Sequence, residues 1–248
     1  MDVAQSASRT AAVRVLDVDP DLGVRIPAAE IENARATLLA RPFSVEAGTW
    51  ELRGSVHERG TLGLLVVDGL LALRTALDDR STLELVGRGD LLQPWVQLGS
   101  EASVTPSADW DVLKQASVLL LDRQFGEAAG PWPEVTAALM HRVVIRSRRL
   151  CYQLAVNSSP RTDERLLHTL WALADRWGRV TDKGIVLEIP LTHQQLAELV
   201  CATRPSVSAA LNHLRDRQHI GYGRDRFVLH GDVPERVQAL KREVKLRP

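Results

Sequence analysis

Cysteine is nearly absent: Cys151 and Cys201 are the only two in 248 residues. Two cysteines cannot form a disulfide framework, and they fall short of the four thiolates of an iron–sulfur cluster. No apolar stretch approaches the roughly 18 uninterrupted residues of a membrane helix. The start, MDVAQSASRTAAVRVLD, lacks the basic segment and apolar run of a secretory signal. A reducing cytoplasm is the expected location, with no membrane partner. Net charge is also absent, at +0. The balance is uneven, however. Residues 1–158 hold 16 Lys and Arg against 20 Asp and Glu, while residues 159–248 hold 15 against 11. An acidic front and a basic back predict domains with different partners.

The front of the chain shows several patterns. Residues 1–27 are polar and broken by Pro20, Gly23 and Pro27, which predicts a loose wrap. Residues 28–40 have helical spacing, with Ile31, Ala34, Leu38 and Leu39 on one face. From Phe43 to Phe125, apolar runs at 62–67, 70–73, 83–86 and 118–121 alternate with turn residues. Among these are Gly48, Gly54, Gly60, Asp68-Gly69, Asp78-Asp79 and Gly87-Arg88-Gly89-Asp90. Short strands turning about every ten residues predict a small β-roll or jelly roll.

Pro131 and Pro133 open a segment that runs to Asn157 without glycine, a helix of roughly 35–40 Å. It carries two apolar registers: Leu139, Val143 and Leu150, and Met140, Val144, Cys151 and Leu154. One register suits the helix's own domain and the other a symmetry mate, unless both form one wide buried stripe. Ser159-Pro160 then reads as an N-cap and first helical residue. Leu166, Leu167, Leu170, Trp171 and Ala174 continue that helix, and Gly178 stops it. The expected organisation is α+β: a β-roll sensor-like domain over 1–130, a long dimerisation helix over 131–158, and a winged helix-turn-helix over 159–248.

The most informative run lies between Leu191 and Leu214. Thr192 and Gln195 have capping-box spacing, followed by Leu196, Leu199 and Val200 on one face. Cys201 and Ala202 break this short helix. Thr203 caps a second one, with Pro205 in its first turn where the missing N–H costs nothing. Val207, Ala210, Leu211 and Leu214 fall at i, i+3, i+4 and i+7, which turns Arg204, Ser206, Ser208 and Ala209 outward. Two short helices across a tight break have helix-turn-helix geometry. Beyond them, residues 220–229 alternate about Arg224-Asp225, a hairpin with Arg224 and Arg226 at its tip. Residues 232–246 read as a closing amphipathic helix.

The segments LTHQQLAELV, CATRPSVSAAL and HIGYGRDRFVLHG resemble the CRP/FNR family of bacterial regulators, and GRGDLLQP extends the resemblance forward. The resemblance implies a β-roll sensor, a dimerisation helix and a winged helix. It also implies a homodimer on pseudo-palindromic double-stranded DNA, with RNA polymerase as a further partner. Arg204, Pro205, Ser208 and Ala209 fall on the family's base-reading positions. Thr192, His193, Gln194, Thr203 and Ser206 fall where members touch phosphate. Arg204 can donate two bonds to a guanine edge, worth about 1–3 kcal/mol of discrimination. Pro205 and Ala209 replace the family's frequent Glu and Arg, so its best-known half-site does not transfer.

The resemblance also implies a sensor whose effector these residues do not identify. Family cyclic-nucleotide sites use a Gly-Glu pair and a downstream arginine, whereas this chain has Gln93-Pro94 and no arginine between Arg88 and Arg123. Lys114 is the one cation in that interval. Burying a phosphate without its cation costs several kcal/mol, about enough to abolish the site. The ordinary cAMP site therefore reads as degenerate. His57, His141 and Cys151 are read as surface or packed residues rather than haem ligands, and Trp95, Trp110 and Trp132 as core near the roll and long helix. A cupin-like oxygenase needs several histidines inside the roll, where His57 stands alone. A hydrolase of the G-x-S-x-G type lacks its elbow. The rival is an interaction module that uses the winged helix for docking.

Overall fold

The computed structural model describes residues 11–51, 60–96, 106–223 and 226–231. The expected closing helix, Arg224 and His57 lie outside these residues. The chain divides into two compact units, 1–150 and 151–248.

The first unit is built on an antiparallel sheet. Its strands are β1 (Val13–Arg14), β2 (Leu39–Val45), β3 (Gly48–Trp50), β4 (Gly63–Leu77), β5 (Arg80–Gly87), β6 (Leu91–Leu92) and β7 (Ser107–Leu121). The order is β1-β2-β7-β4-β5, with β3 on β7 and β6 on β4. Helix α1 (Val15–Val18), a 3₁₀ turn (Pro20–Gly23) and α2 (Ile31–Thr37) precede the main strands. Helix α3 (Arg123–Ala128) and the long α4 (Pro133–Asn157) follow them.

Successive side chains on a strand point to opposite faces, so a strand buried on both faces reads as a continuous apolar run. Leu64, Val66, Val118 and Leu120 enter one core with Phe43, Trp50, Leu71 and Val86. Leu65, Leu119 and Leu121 enter a second core with Leu16, Leu38, Phe125, Trp132, Val135 and Leu139. Two expectations change as a result, while the tryptophans pack on the cores as read. Residues 13–26 are not a loose wrap, because Val15, Leu16 and Leu22 are buried in the second core. Leu39 leaves the helical face and starts β2, exposed. The tryptophans divide between the cores: Trp132 lies in the second, while Trp95 and Trp110 pack on the first, with Trp110 edge-on to Trp50 at 6.0 Å.

Asp68-Gly69 is not a turn either. It is a bulge within the 15-residue β4, where the register against β7 shifts between Val66 and Leu71. Gly69 has φ +97°, and a Cβ there would lie 2.4 Å from the Ala116 Cα, so only glycine fits. The expected short strands are thus partly long, bent ones.

The second unit contains α5 (Thr162–Trp177), β8 (Gly178–Thr181), β9 (Gly184–Leu187), α6 (His193–Leu199), α7 (Arg204–Asp216), β10 (Ile220–Gly223) and β11 (Arg226–Leu229). Its sheet order is β10-β11-β9-β8. Leu166, Leu170, Leu187, Leu196, Leu199, Val207, Leu211 and Leu229 are buried in this unit. Helix α5 starts at Thr162, not at Ser159-Pro160. The Ser159 hydroxyl donates instead to Glu164 at 3.0 Å. Asp163 and Glu164 supply the negative charge that the first turn favours.

Candidate nucleic-acid interface

Helix α6 opens with the expected capping box. Gln195 N–H donates to Thr192 Oγ1 at 3.2 Å, and Thr192 N–H to Gln195 Oε1 at 2.9 Å. Helix α6 ends at Leu199, and Cys201 takes φ 47°, the left-handed conformation that reverses the chain. The carbonyls exposed by this break are claimed by side chains. Arg165 donates to Val200 O at 2.8 Å and to Cys201 O at 2.9 Å. Gln153 and Asn157 donate to Leu199 O at 2.9 and 3.1 Å. Sequence reading missed all three, because their partners lie 35 to 46 residues away.

Helix α7 begins at Arg204 with Thr203 as its N-cap, accepting from Ser206 N–H at 3.4 Å, and with Pro205 in the first turn. Val207, Ala210, Leu211 and Leu214 are buried as their spacing predicts. Arg204, Pro205 and Ala209 are exposed together. The first turn holds no acidic residue, and no Arg204 side-chain partner occurs among the described residues. A guanidinium at the positive end of a helix dipole concentrates positive potential there.

The other polar candidates are already engaged. Ser208 donates to Arg204 O at 3.1 Å, and its oxygen lies 2.9 Å from His193 Nδ1. With the single Ser208 proton committed to that carbonyl, His193 Nδ1 carries the hydrogen. Thr203 and Ser206 share a 2.9 Å hydroxyl bond. Gln194 is exposed and reaches Glu198 at 3.4 Å. Arg226 is exposed at the start of β11, which pairs antiparallel with β10.

Two further features were not foreseen. Tyr222, on β10, stands edge-on to His193 at 6.5 Å and donates to Asn212 Oδ1 at 2.8 Å. Arg215 lies over the Tyr222 ring at 5.5 Å. His213 turns the other way, to Asp163 at 2.9 Å, and fastens α7 to α5. The Asp163 carboxyl is held below its ordinary pKa, first by the hydrogen bond from Arg161 and also by Glu164 N–H and His213, against a burial effect of opposite sign. Its contribution to stability is present above the unfolded carboxylate range and is lost as pH falls through the lower folded value.

In the first unit, the Gly87–Asp90 turn is held from α4. Arg149 pairs with Asp90, which also accepts from Gly87 N–H at 3.0 Å. Arg146 grips Glu84 with two bonds of 2.6 and 2.7 Å, and Arg142 reaches Asp19. The Arg146 pKa is raised; burial opposes the rise, and the Glu84 hydrogen bond and charge produce it. Gln93 donates to Leu62 O at 2.8 Å, and Lys114 is exposed. His141, Cys151 and Cys201 are exposed, and no group of three metal-ligating side chains occurs among the described residues. No helix among them is long and apolar enough to cross a membrane.

Residues 164–231 match the family described as the Crp-like helix-turn-helix domain. Comparison with curated proteins gives no match. Among solved structures, the chain is similar to FixK2 from Bradyrhizobium japonicum (TM-score 0.61, 21% identity, covering 82% of this chain and 98% of that one). It is also similar to a CRP-family transcriptional regulator from Thermus thermophilus (TM-score 0.58, 22% identity, 83% and 96%). A third is a CooA mutant from Carboxydothermus hydrogenoformans (TM-score 0.60, 16% identity, 96% and 97%).

Proposed function

We propose that this chain is a CRP/FNR-type regulator that binds pseudo-palindromic DNA as a homodimer, a reading supported by its match to the Crp-like helix-turn-helix domain over residues 164–231 and by its fold. In this reading the chain is a DNA-binding transcriptional regulator and not an enzyme. The observation that carries the sequence-specific reading is Arg204, exposed and unpartnered among the described residues at the capped N-terminus of α7. In this reading Arg204 recognises a guanine edge, while Pro205 and Ala209 offer apolar contact to thymine methyls. Ser208 stays out of the code because its hydroxyl is engaged within the protein. Thr192, His193, Gln194, Thr203, Ser206, Arg224 and Arg226 then track the phosphate backbone.

A homodimer is supported by the exposed apolar side chains of α4, among them Met140, Val144 and Leu154. Two recognition helices then enter successive major grooves about 34 Å apart. RNA polymerase is the further partner of such a regulator, and the cytoplasm its location. The division into 1–130, 131–158 and 159–248 follows from these roles. The sensor does not hold a cyclic nucleotide in the ordinary family mode. That reading rests on Gln93-Pro94, on the exposed Lys114, and on the internal pairing of Arg142, Arg146 and Arg149.

The test is binding of the purified protein to genome fragments, wild type beside Arg204→Ala, across a salt series. A shared palindromic motif, lost in the variant and weakened by salt, is expected. Weak uniform binding unaffected by Arg204→Ala would replace base reading with the interaction-module alternative.

A further inference from the structure

We propose that Asn212 is a second DNA-contact residue of α7, a donor-only amide that grips a backbone phosphate, and that Tyr222 holds it in that orientation. The inference rests on the DNA-binding reading above and extends it to residues outside the helix N-terminus. Asn212 follows Arg204 and Ser208 at i+8 and i+4, so all three share one face of α7. It stands eight residues, about 12 Å, behind Arg204. A helix that enters the groove by its N-terminus leaves that position at the groove wall, where phosphates lie.

Hydrogen-bond inventory gives the chemistry. The Tyr222 hydroxyl has one proton, donated to Asn212 Oδ1 at 2.8 Å, while Arg215 approaches the same phenol oxygen as a donor at 3.5 Å. Reversing the amide would leave the phenol accepting from both neighbours with its own proton unused. With Oδ1 taken, Asn212 cannot make the paired donor–acceptor contact that reads adenine. It offers N–H alone, the complement of a phosphate oxygen. Asn212 and Arg215 are both exposed, and the Arg215 guanidinium over the Tyr222 ring adds a cation beside the amide. Tyr222 is thus a positioning residue, anchored on its other side by the edge-on His193 ring.

The experiment uses full-length protein and the duplex that wild type selects from a random pool, with Asn212→Ala, Asn212→Asp, Tyr222→Phe and the Asn212→Ala/Tyr222→Phe pair. Thermal unfolding of each variant checks the fold. Asn212→Ala should weaken binding about tenfold, equally on selected and scrambled duplexes. Asn212→Asp keeps the shape and still accepts from Tyr222, but faces the phosphate with a like charge. Its loss should be at least about tenfold greater than that of Asn212→Ala at low salt, and should shrink as salt rises. Tyr222→Phe keeps the ring and should cost about threefold, and the double variant should bind no worse than Asn212→Ala alone. A neutral methylphosphonate at the contacted phosphate should erase the difference between wild type and Asn212→Ala. The proposal is overturned if Asn212→Asp matches Asn212→Ala at every salt concentration, since the side chain then faces no phosphate. It is also overturned if Asn212→Ala changes the preferred base, which would make Asn212 a base reader. If wild type selects no duplex at all, the DNA-binding reading itself fails with it.

Discussion

The two faces of α4 invert the usual arrangement of a surface helix. Val135, Leu139, Arg142, Arg146 and Arg149 form one stripe, apolar for its first two members and then ionic. These arginines meet Asp19, Glu84 and Asp90 of the same unit. Met140, Val144, Ser147, Cys151 and Leu154 repeat the same spacing five residues later, which places them about 140° around the helix. That second stripe is exposed, Met140 at 59% and Leu154 at 70%, and Val143 and Leu150 flank it. Charge therefore secures much of the side that faces its own domain, while apolar groups occupy the side that faces solvent. An exposed heptad stripe costs about 25 cal/mol for each Å² left uncovered. The difference teaches that a helix can be complete on one face and unfinished on the other, and that a second copy of the same helix is the simplest cover.

The largest effect should come from breaking the unfinished face. Val144→Asp puts two carboxylates against each other at the seam of the proposed dimer. Sedimentation should show monomer, and affinity for the selected duplex should fall by about a hundredfold or more. Mild oxidation sharpens this prediction, because Cys151 lies on the same stripe. Wild type should form a cross-linked dimer on a denaturing gel, and Val144→Asp should not. A dimer that survives Val144→Asp would move the interface off this stripe.

Breaking the finished face should have a smaller effect and leave assembly alone. Glu84→Ala leaves the Arg146 guanidinium, whose side chain is 20% exposed, with the Leu91 carbonyl at 3.4 Å and the charge of Asp90 alone, and should cost about 2–3 kcal/mol in urea unfolding. Replacing both with leucine should be nearly neutral, because the desolvation cost of the two ions is removed with their attraction. A double variant as unstable as Glu84→Ala would mean the pair contributes more than it costs.

The helix-turn-helix was legible because its signals are local. A capping box, a first-turn proline and an i, i+3, i+4, i+7 apolar set each fall within a few residues of what they specify. Arg204 was legible for the same reason. Other features depended on partners far along the chain. Val15 and Leu16 are apolar anchors in a polar stretch, and their burial depends on a core assembled from residues up to Leu139. Asp68-Gly69 has turn chemistry, yet close approach to Ala116 makes it a bulge. The α4 registers were visible, but not which of them faced solvent, since arginines on the inward side need carboxylates from three other segments. Within the interface, the spacing showed Ser208 on the outward face, but not that His193 engages its hydroxyl.

The contrast between Arg146 and Arg204 gives the smallest prediction and separates architecture from function. Both are helical arginines, but Arg146 is half-buried against Glu84, whereas Arg204 is exposed at a helix N-terminus without an acidic neighbour in the first turn. Charge of that sign opposes the helix dipole by about 0.3–1 kcal/mol. Removing it should therefore leave stability unchanged or raise it by a few tenths of a kcal/mol, roughly 1–2 °C in Tm. The sign is opposite to that of Glu84→Ala, and it should appear in the protein that loses sequence-specific binding. Thermal unfolding of Arg204→Ala in the absence of DNA checks it. A drop of several degrees would make Arg204 a structural residue, and its exposure would no longer support base reading. An unchanged Tm would mean that folding gains nothing from the Arg204 charge, and a higher one that the helix carries a mildly unfavourable charge; either leaves DNA contact as its role.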